Sequence, residues 1–268
     1  LDTYGTTAAA WGLLTFNTNY WTFDGASGGG PAAWTSGHGF TFTGTACAGG
    51  TFITLYDGMT GFTGRHLAFS ETGNVDACGA GGTAFYNNGS LTSGLFEYNY
   101  FSNLGGLPFL LRNGTGTIIQ YNYAAHICGQ YIFDVGLHCE GVVIWSTSDM
   151  HFRWNYLAES PSSGGFVMNT GTADAVRIYG NVFRKGGFHS AAVPIVCNAT
   201  CTNWRIFNNT FTDITSGPVS GSGFSGTLQH NNLVKTASFT QSFLSGVTHN
   251  YIWYSSISSN SCTMGASA

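Results

Sequence analysis

Groups able to do acid–base or charge chemistry are scarce in this chain, so the places where they gather carry information. The 268 residues include 8 Lys and Arg, 12 Asp and Glu, and 8 His. One gathering is Asp134-Val-Gly-Leu-His138-Cys139-Glu140-Gly141. His138 and Glu140 are two positions apart, and side chains alternate along a strand, so the pair is expected to project to one side. A histidine and a carboxylate held outward together can serve as base and acid. The plainer alternative has both bonded to loop backbone, holding the long insertion between Asn122 and Asn155. A second gathering is His151, Arg153, Arg177, Tyr179 and Arg205, a concentration of cationic groups in a chain with so few. Its plainer alternative is an exterior ladder paired with Glu97, Glu159 and Asp174. Arg184-Lys185 with His189 forms a third cluster that rests on composition only.

What must position these groups is a repeat. From residue 95 onward, segments such as Leu95-Phe-Glu-Tyr-Asn99, Ile118-Ile-Gln-Tyr-Asn122, His151-Phe-Arg-Trp-Asn155, Arg177-Ile-Tyr-Gly-Asn181, Arg205-Ile-Phe-Asn-Asn209 and Leu228-Gln-His-Asn-Asn232 share one pattern, with a weaker copy ending at Asn250. Successive asparagines are separated by 23, 33, 26, 28, 23 and 18 residues. Strands of fixed length joined by variable loops, with one residue type at each corner, describe a solenoid. Asparagine is expected at that corner because it tolerates left-handed or bridge backbone angles, and its amide both donates and accepts hydrogen bonds. Three residues before each asparagine stand Phe96, Ile119, Phe152, Ile178 and Ile206, an apolar row expected inside. Two before stand Glu97, Gln120, Arg153, Tyr179 and Phe207, a row expected outside. That register places His151, Arg153, Arg177, Tyr179 and Arg205 on one exterior face of consecutive coils.

A second strand per coil is expected in Leu107–Arg112, Gly141–Trp145, Gly165–Asn169 and Val193–Cys197, and a third after each asparagine. The reading is all-β: one single-stranded right-handed parallel β-helix over 1–268, three short strands per coil. Less regular coils fill 1–94, and regular asparagine-ladder coils fill 95–255. A propeller or sandwich is the rival, but neither asks for one asparagine per coil.

These repeats resemble those of the pectate-lyase-like superfamily, which commonly run Val-x-Ile-x-x-Asn-x-Phe, and the likeness is clear over about residues 95 to 253. Many of its members bind or cleave acidic polysaccharides along a groove outside one sheet. Asp134 to Ile144 is similar to the His-x-Asp/Glu-Gly-Ile stretch that opens a coil in such proteins. The resemblance implies a polysaccharide partner and, if the chain is an enzyme, a polysaccharide lyase or glycoside hydrolase. Asp134, His138, Glu140, His151 and Tyr179 are then the catalytic candidates, and Arg112, Arg153, Arg177 and Arg205 the substrate-binding ones. A lyase needs a cation by the sugar carboxylate, a base for the C5 proton and an acid for the leaving oxygen, roles suited to Arg177, His151 and Tyr179. The other class is a structural fibre, filament subunit or spike. A charged fraction of 7% is low for an enzyme of acidic glycans and pulls toward structure or binding; the arginine row pulls the other way.

Composition excludes other classes. Hydrophobic residues at 43% and aromatics at 15% give ample core, and 39 glycines suit turns rather than helices. A net charge of −4 leaves no basic stripe for nucleic acid. No apolar run is long enough to insert in a bilayer, and the opening Leu1-Asp2-Thr3 reads as that of a mature or trimmed product. Seven cysteines favour an extracellular or cell-surface location. Cys197 with Cys201, Cys128 with Cys139 and Cys47 with Cys78 are candidate pairs, Cys262 is left over, and buried free thiols are the alternative. Sequons at Asn88, Asn113, Asn198 and Asn208 leave glycosylation open. No metal is expected at the candidate sites and no cofactor, calcium being the one ion left open; Asp24 and Asp57 read as turn residues, and His126-x-Cys128 as disulfide or core. Few charges blunt the ends of the coil, so end-to-end stacking or a homo-oligomer is expected.

Overall fold

The computed structural model describes residues 14–26, 34–46, 48–77, 81–127, 140–160, 166–186, 193–214, 218–230, 232–236, 247–248 and 251–254. Asp134, His138, Cys139 and the candidate cysteines 47, 78, 128 and 262 lie outside them.

Every strand pairing in the three main sheets is parallel. The first sheet has eight strands, from Leu14–Phe16 through Thr51–Leu55 and Phe109–Arg112 to Val219–Ser220. The second and third have nine each, starting at Thr22–Asp24 and Phe40–Thr45. Neighbours within a sheet are one coil apart in sequence, so the chain visits the three sheets in turn and climbs one strand per circuit. This is a parallel β-helix. Short strands such as Leu91–Thr92 and Thr172–Asp174 add a corner between the first and second sheets, forming two three-stranded sheets. No helix among the described residues is long and apolar enough to cross a membrane.

The asparagine corner lies between the second and third sheets. Asn99, Asn122, Asn155, Asn181, Asn209 and Asn232 are 1–4% exposed. The Oδ1 of Asn155 accepts both the main-chain N–H and the Nδ2 of Asn122, at 3.0 Å each, while its own Nδ2 donates to Ile119 O at 3.0 Å and Asn181 Oδ1 at 3.1 Å. The same set recurs from Asn99 to Asn209. Each amide joins three coils, and no polar atom of these side chains is left without a partner, as burial demands. The ladder starts where asparagine first appears: one coil earlier stands Leu67, whose N–H donates to Asn99 Oδ1 at 3.1 Å.

The left-handed angle expected of the ladder asparagines belongs instead to the residue before them: Tyr98 (φ 55°), Tyr121 (52°), Trp154 (54°), Gly180 (67°) and Asn208 (53°). The physical reason is that the asparagine already continues the third-sheet register, so the chain must turn one residue sooner. Bulky residues accept this unfavourable region because their rings stack coil on coil, Tyr98 on Tyr121 at 5.1 Å and Tyr121 on Trp154 at 5.0 Å.

Inside, Phe96, Ile119, Phe152, Ile178 and Ile206 are 0–1% exposed, the row expected there. Beside them Phe42, Phe69 and Phe101 stack at 4.9 and 5.2 Å, the column passes through Ala124 and Leu157, and Phe183 and Phe211 resume it at 5.0 Å. Cys197 and Cys201 form a disulfide, both buried, across the corner between the first sheet and the corner strands.

Candidate functional site

The exterior of the second sheet carries a continuous chain of polar side chains. It begins at Asp24, which takes Arg65 Nε at 2.9 Å and His66 Nδ1 at 2.8 Å. These bonds hold the Asp24 carboxyl below its usual range against the opposing effect of burial. Arg65 reaches Glu97 at 3.6 Å, and Glu97 accepts Gln120 Nε2 at 2.6 Å. Gln120 Oε1 accepts Arg153 Nε at 2.7 Å, and Arg153 donates on to the Tyr179 hydroxyl at 2.7 Å. His151 Nδ1 stands 3.3 Å from that hydroxyl, and its Nε2 faces Arg177, which pairs with Asp149 at 2.7 Å.

The parallel register produces this cluster. His151, Arg177 and Arg205 are paired side by side, as are Arg153, Tyr179 and Phe207. Four of the five candidates from the asparagine register touch one another. Arg205 lies in the same row but donates to Gly226 O at 3.0 Å. The expected acidic partners are corrected here: Glu97 serves Arg65 and Gln120, Asp174 accepts Thr202 and Asn203, and the carboxylate that pairs with an arginine of the cluster is Asp149. Asp149 sits in the corner turn, outside the repeated strand, where the repeat gave no sign of it. The side chain of Glu159 lies outside the described residues. Of Arg153, Arg177 and Arg205, only Arg177 has an acidic partner among the described residues, so three arginines face one carboxylate.

Proton positions follow from donor chemistry. Arginine can only donate, so His151 Nε2 accepts from Arg177, and the ring proton of the neutral imidazole is on Nδ1, directed at Tyr179 Oη. Burial, then the Arg177 charge, hold the His151 pKa below its ordinary value; Asp149 opposes them, and Arg153 adds a smaller push in the same downward direction. Neutral histidine is therefore the resident form near neutrality. Tyr179 Oη accepts from both Arg153 and His151, which leaves its own O–H free to donate outward.

The first gathering fares differently. Asp134 and His138 lie outside the described residues, and Glu140 is fully buried rather than outward. Val142 faces the core, paired with Phe109, and alternation puts the residue two earlier on that same inner side. Counting back from Val142 in the sequence could have shown this. Arg112 is on a different sheet from the cluster, at the C-terminal end of Phe109–Arg112. Among the described residues no three His, Cys, Asp or Glu converge on a cation site; Asp57 is taken up by Ser90 in a turn.

No protein-family model and no curated protein matches the chain. Among solved structures it is similar to an alginate lyase from Paenibacillus sp. str. FPU-7, with 13% identity, TM-score 0.42, covering 80% of this chain and 95% of that one. It is also similar to a GH136 lacto-N-biosidase from Eubacterium ramulus (12%, TM-score 0.35, 90% and 51%) and to a mannuronan C-5 epimerase A-module from Azotobacter vinelandii (12%, TM-score 0.24, 90% and 91%). The activities in those names belong to those proteins.

Proposed function

We propose that this protein is an extracellular or cell-surface β-helix that recognises an acidic polysaccharide on the exterior of its second sheet, at Arg153, Arg177, Arg205, His151 and Tyr179. The observation that carries the reading is the surplus of cation there: three arginines on three consecutive strands, one paired acid, and a neutral histidine and a tyrosine between them. In a chain of net charge −4, such a surplus suits a carboxylated ligand, since guanidinium and carboxylate match as bidentate partners. The Cys197–Cys201 disulfide supports an oxidising compartment.

The same groups fit the parts of a β-elimination. Arg177 turns from His151 to the uronate carboxylate and frees Nε2, which takes the C5 proton. The electron pair of that C–H bond becomes the C4=C5 double bond, the C4–O4 bond breaks, and the leaving oxygen takes the Tyr179 proton. The test incubates the protein with a panel of uronic-acid polysaccharides, following affinity and the ultraviolet absorbance of unsaturated product. Binding is expected, and the double variant Arg177→Ala, Tyr179→Phe is expected to lose it while keeping its fold. Binding without product limits the site to recognition. No binding to any uronate polymer rejects the proposal and leaves the structural-fibre reading.

A further inference from the structure

One cation stands apart from the second sheet. Arg112 ends a first-sheet strand, and its main chain is fixed by the side chain of Asn87, which accepts Arg112 N–H at 2.5 Å and donates to Arg112 O at 2.7 Å. Its guanidinium carbon lies 5.5 Å from the Tyr86 ring centre and 5.2 Å from that of Trp145. Two aromatic rings thus hold the planar group in place. They satisfy none of its N–H donors: among the described residues Arg112 makes no side-chain hydrogen bond and no ion pair, and its Nε is buried without an acceptor. A guanidinium cannot give up its proton, and a partly desolvated charge without a partner is costly. Every other arginine on this molecule has an acceptor or an acid beside it.

Its neighbours on the same exterior row are exposed, and the Asn88 amide oxygen accepts the Tyr86 hydroxyl at 2.8 Å. Trp145 is paired directly beside Arg112 and is 46% exposed. Toward the other end, Asn88 and Tyr56 follow the paired Asn87 and Leu55, with Asn88 exposed and Tyr56 57% exposed. Four consecutive coils therefore present Tyr56, Asn88, Arg112 and Trp145 in one line, about 14 Å long at the usual strand spacing. Aromatic groups at both ends, with an amide and a guanidinium that has no acid beside it among the described residues between them, suit a short run of sugar rings with one acidic group. On the second sheet, by contrast, Tyr98, Tyr121 and Trp154 stack face to face and cover each other's faces.

We infer that this row is a second saccharide-binding site, on a different face from the first, in which Arg112 takes the carboxylate of a uronate residue and Trp145 and Tyr56 flank the rings. The choice of ligand class rests on the acidic-polysaccharide reading above; the existence of the site does not depend on the cluster around His151. Titration calorimetry of the wild-type chain, Arg112→Gln and Arg177→Gln with oligogalacturonate and oligomannuronate tests it, with neutral xylo-oligosaccharide as control. For at least one acidic probe the wild type is expected to show two sites per chain, with Arg112→Gln removing one by weakening it roughly ten- to a hundredfold and Arg177→Gln leaving that one intact. Arg112→Lys, which keeps charge without the planar fork, is expected to fall between, and serves if the glutamine variant does not fold. Unchanged binding in both Arg112 variants overturns this site and leaves the second-sheet reading standing. Loss in Arg112→Gln alone, with Arg177→Gln like wild type, supports this site and overturns the other. Equal affinity for the neutral control, or no binding to either acidic probe, overturns it.

Discussion

Two rows of residues climb the second sheet and the corner that follows it with the same period, two positions apart, and they could hardly differ more. The inner row is Asn99, Asn122, Asn155, Asn181, Asn209 and Asn232, one residue type throughout, buried and bonded through three coils. The outer row is Glu97, Gln120, Arg153, Tyr179, Phe207 and His230, in which no residue type repeats. Inside, each amide is the hydrogen-bond partner of an identical amide, so a different residue at one coil orphans groups at its neighbours. Outside, solvent completes whatever a neighbour does not, and each coil is free to carry its own chemistry. Repetition marks what the coil needs to exist; variety along the adjacent row marks where it is free to act.

The largest expected effect strikes the inner row. Asn155→Leu removes the acceptor of Asn122 N–H and the donor to Ile119 O, both deep in the corner. At about 1–3 kcal/mol for each buried group left unbonded, a loss of about 3–5 kcal/mol is expected, measured by urea unfolding. A variant that unfolds like wild type would show the ladder to be ornamental and dissolve the contrast.

How far the chain could be read beforehand follows the same division. The inner row, the apolar row before it and the alternation of sheets were legible because each coil repeats them, and the cluster of His151, Arg153, Arg177 and Tyr179 was legible because it inherits that register. What escaped lay off the register. Asp149 pairs with Arg177 from a corner turn whose sequence does not recur. Tyr98, Tyr121 and Trp154 take the left-handed turn against their own preference, and only their recurrence as large aromatics just before three asparagines hinted at a stack. The isolation of Arg112 is a matter of acceptors absent among the described residues, which no local sequence displays.

A smaller effect is expected in the outer row. Arg153→Met gives up hydrogen bonds to Gln120 and Tyr179 and the contact of its guanidinium 4.5 Å from the Trp154 ring centre. Partly exposed pairs and cation–π contacts of this kind contribute about 1 kcal/mol or less. The same urea unfolding should therefore separate this variant clearly from Asn155→Leu. Equal losses would mean that the outer row is a second structural ladder, and would count against a binding role for it.

The smallest effect concerns pH, and it isolates one group of the outer chain. His151 has its folded pKa lowered, chiefly by burial and then by Arg177. Below the unfolded value of roughly 6.5 the unfolded chain binds the extra proton more readily than the folded one, so stability rises with pH through that window. The stabilisation carried by neutral His151 is fully present above pH of roughly 6.5 and is lost as the pH falls toward and through the lowered folded value. His38, also lowered by burial, adds a loss of the same sign. Comparing wild type with His151→Asn removes that shared background. The melting temperature of wild type should drop more between neutral and mildly acidic solution than that of the variant. An equal drop in both would mean that proton uptake at position 151 costs the fold nothing, and that the imidazole is not held neutral by Arg177 and its surroundings.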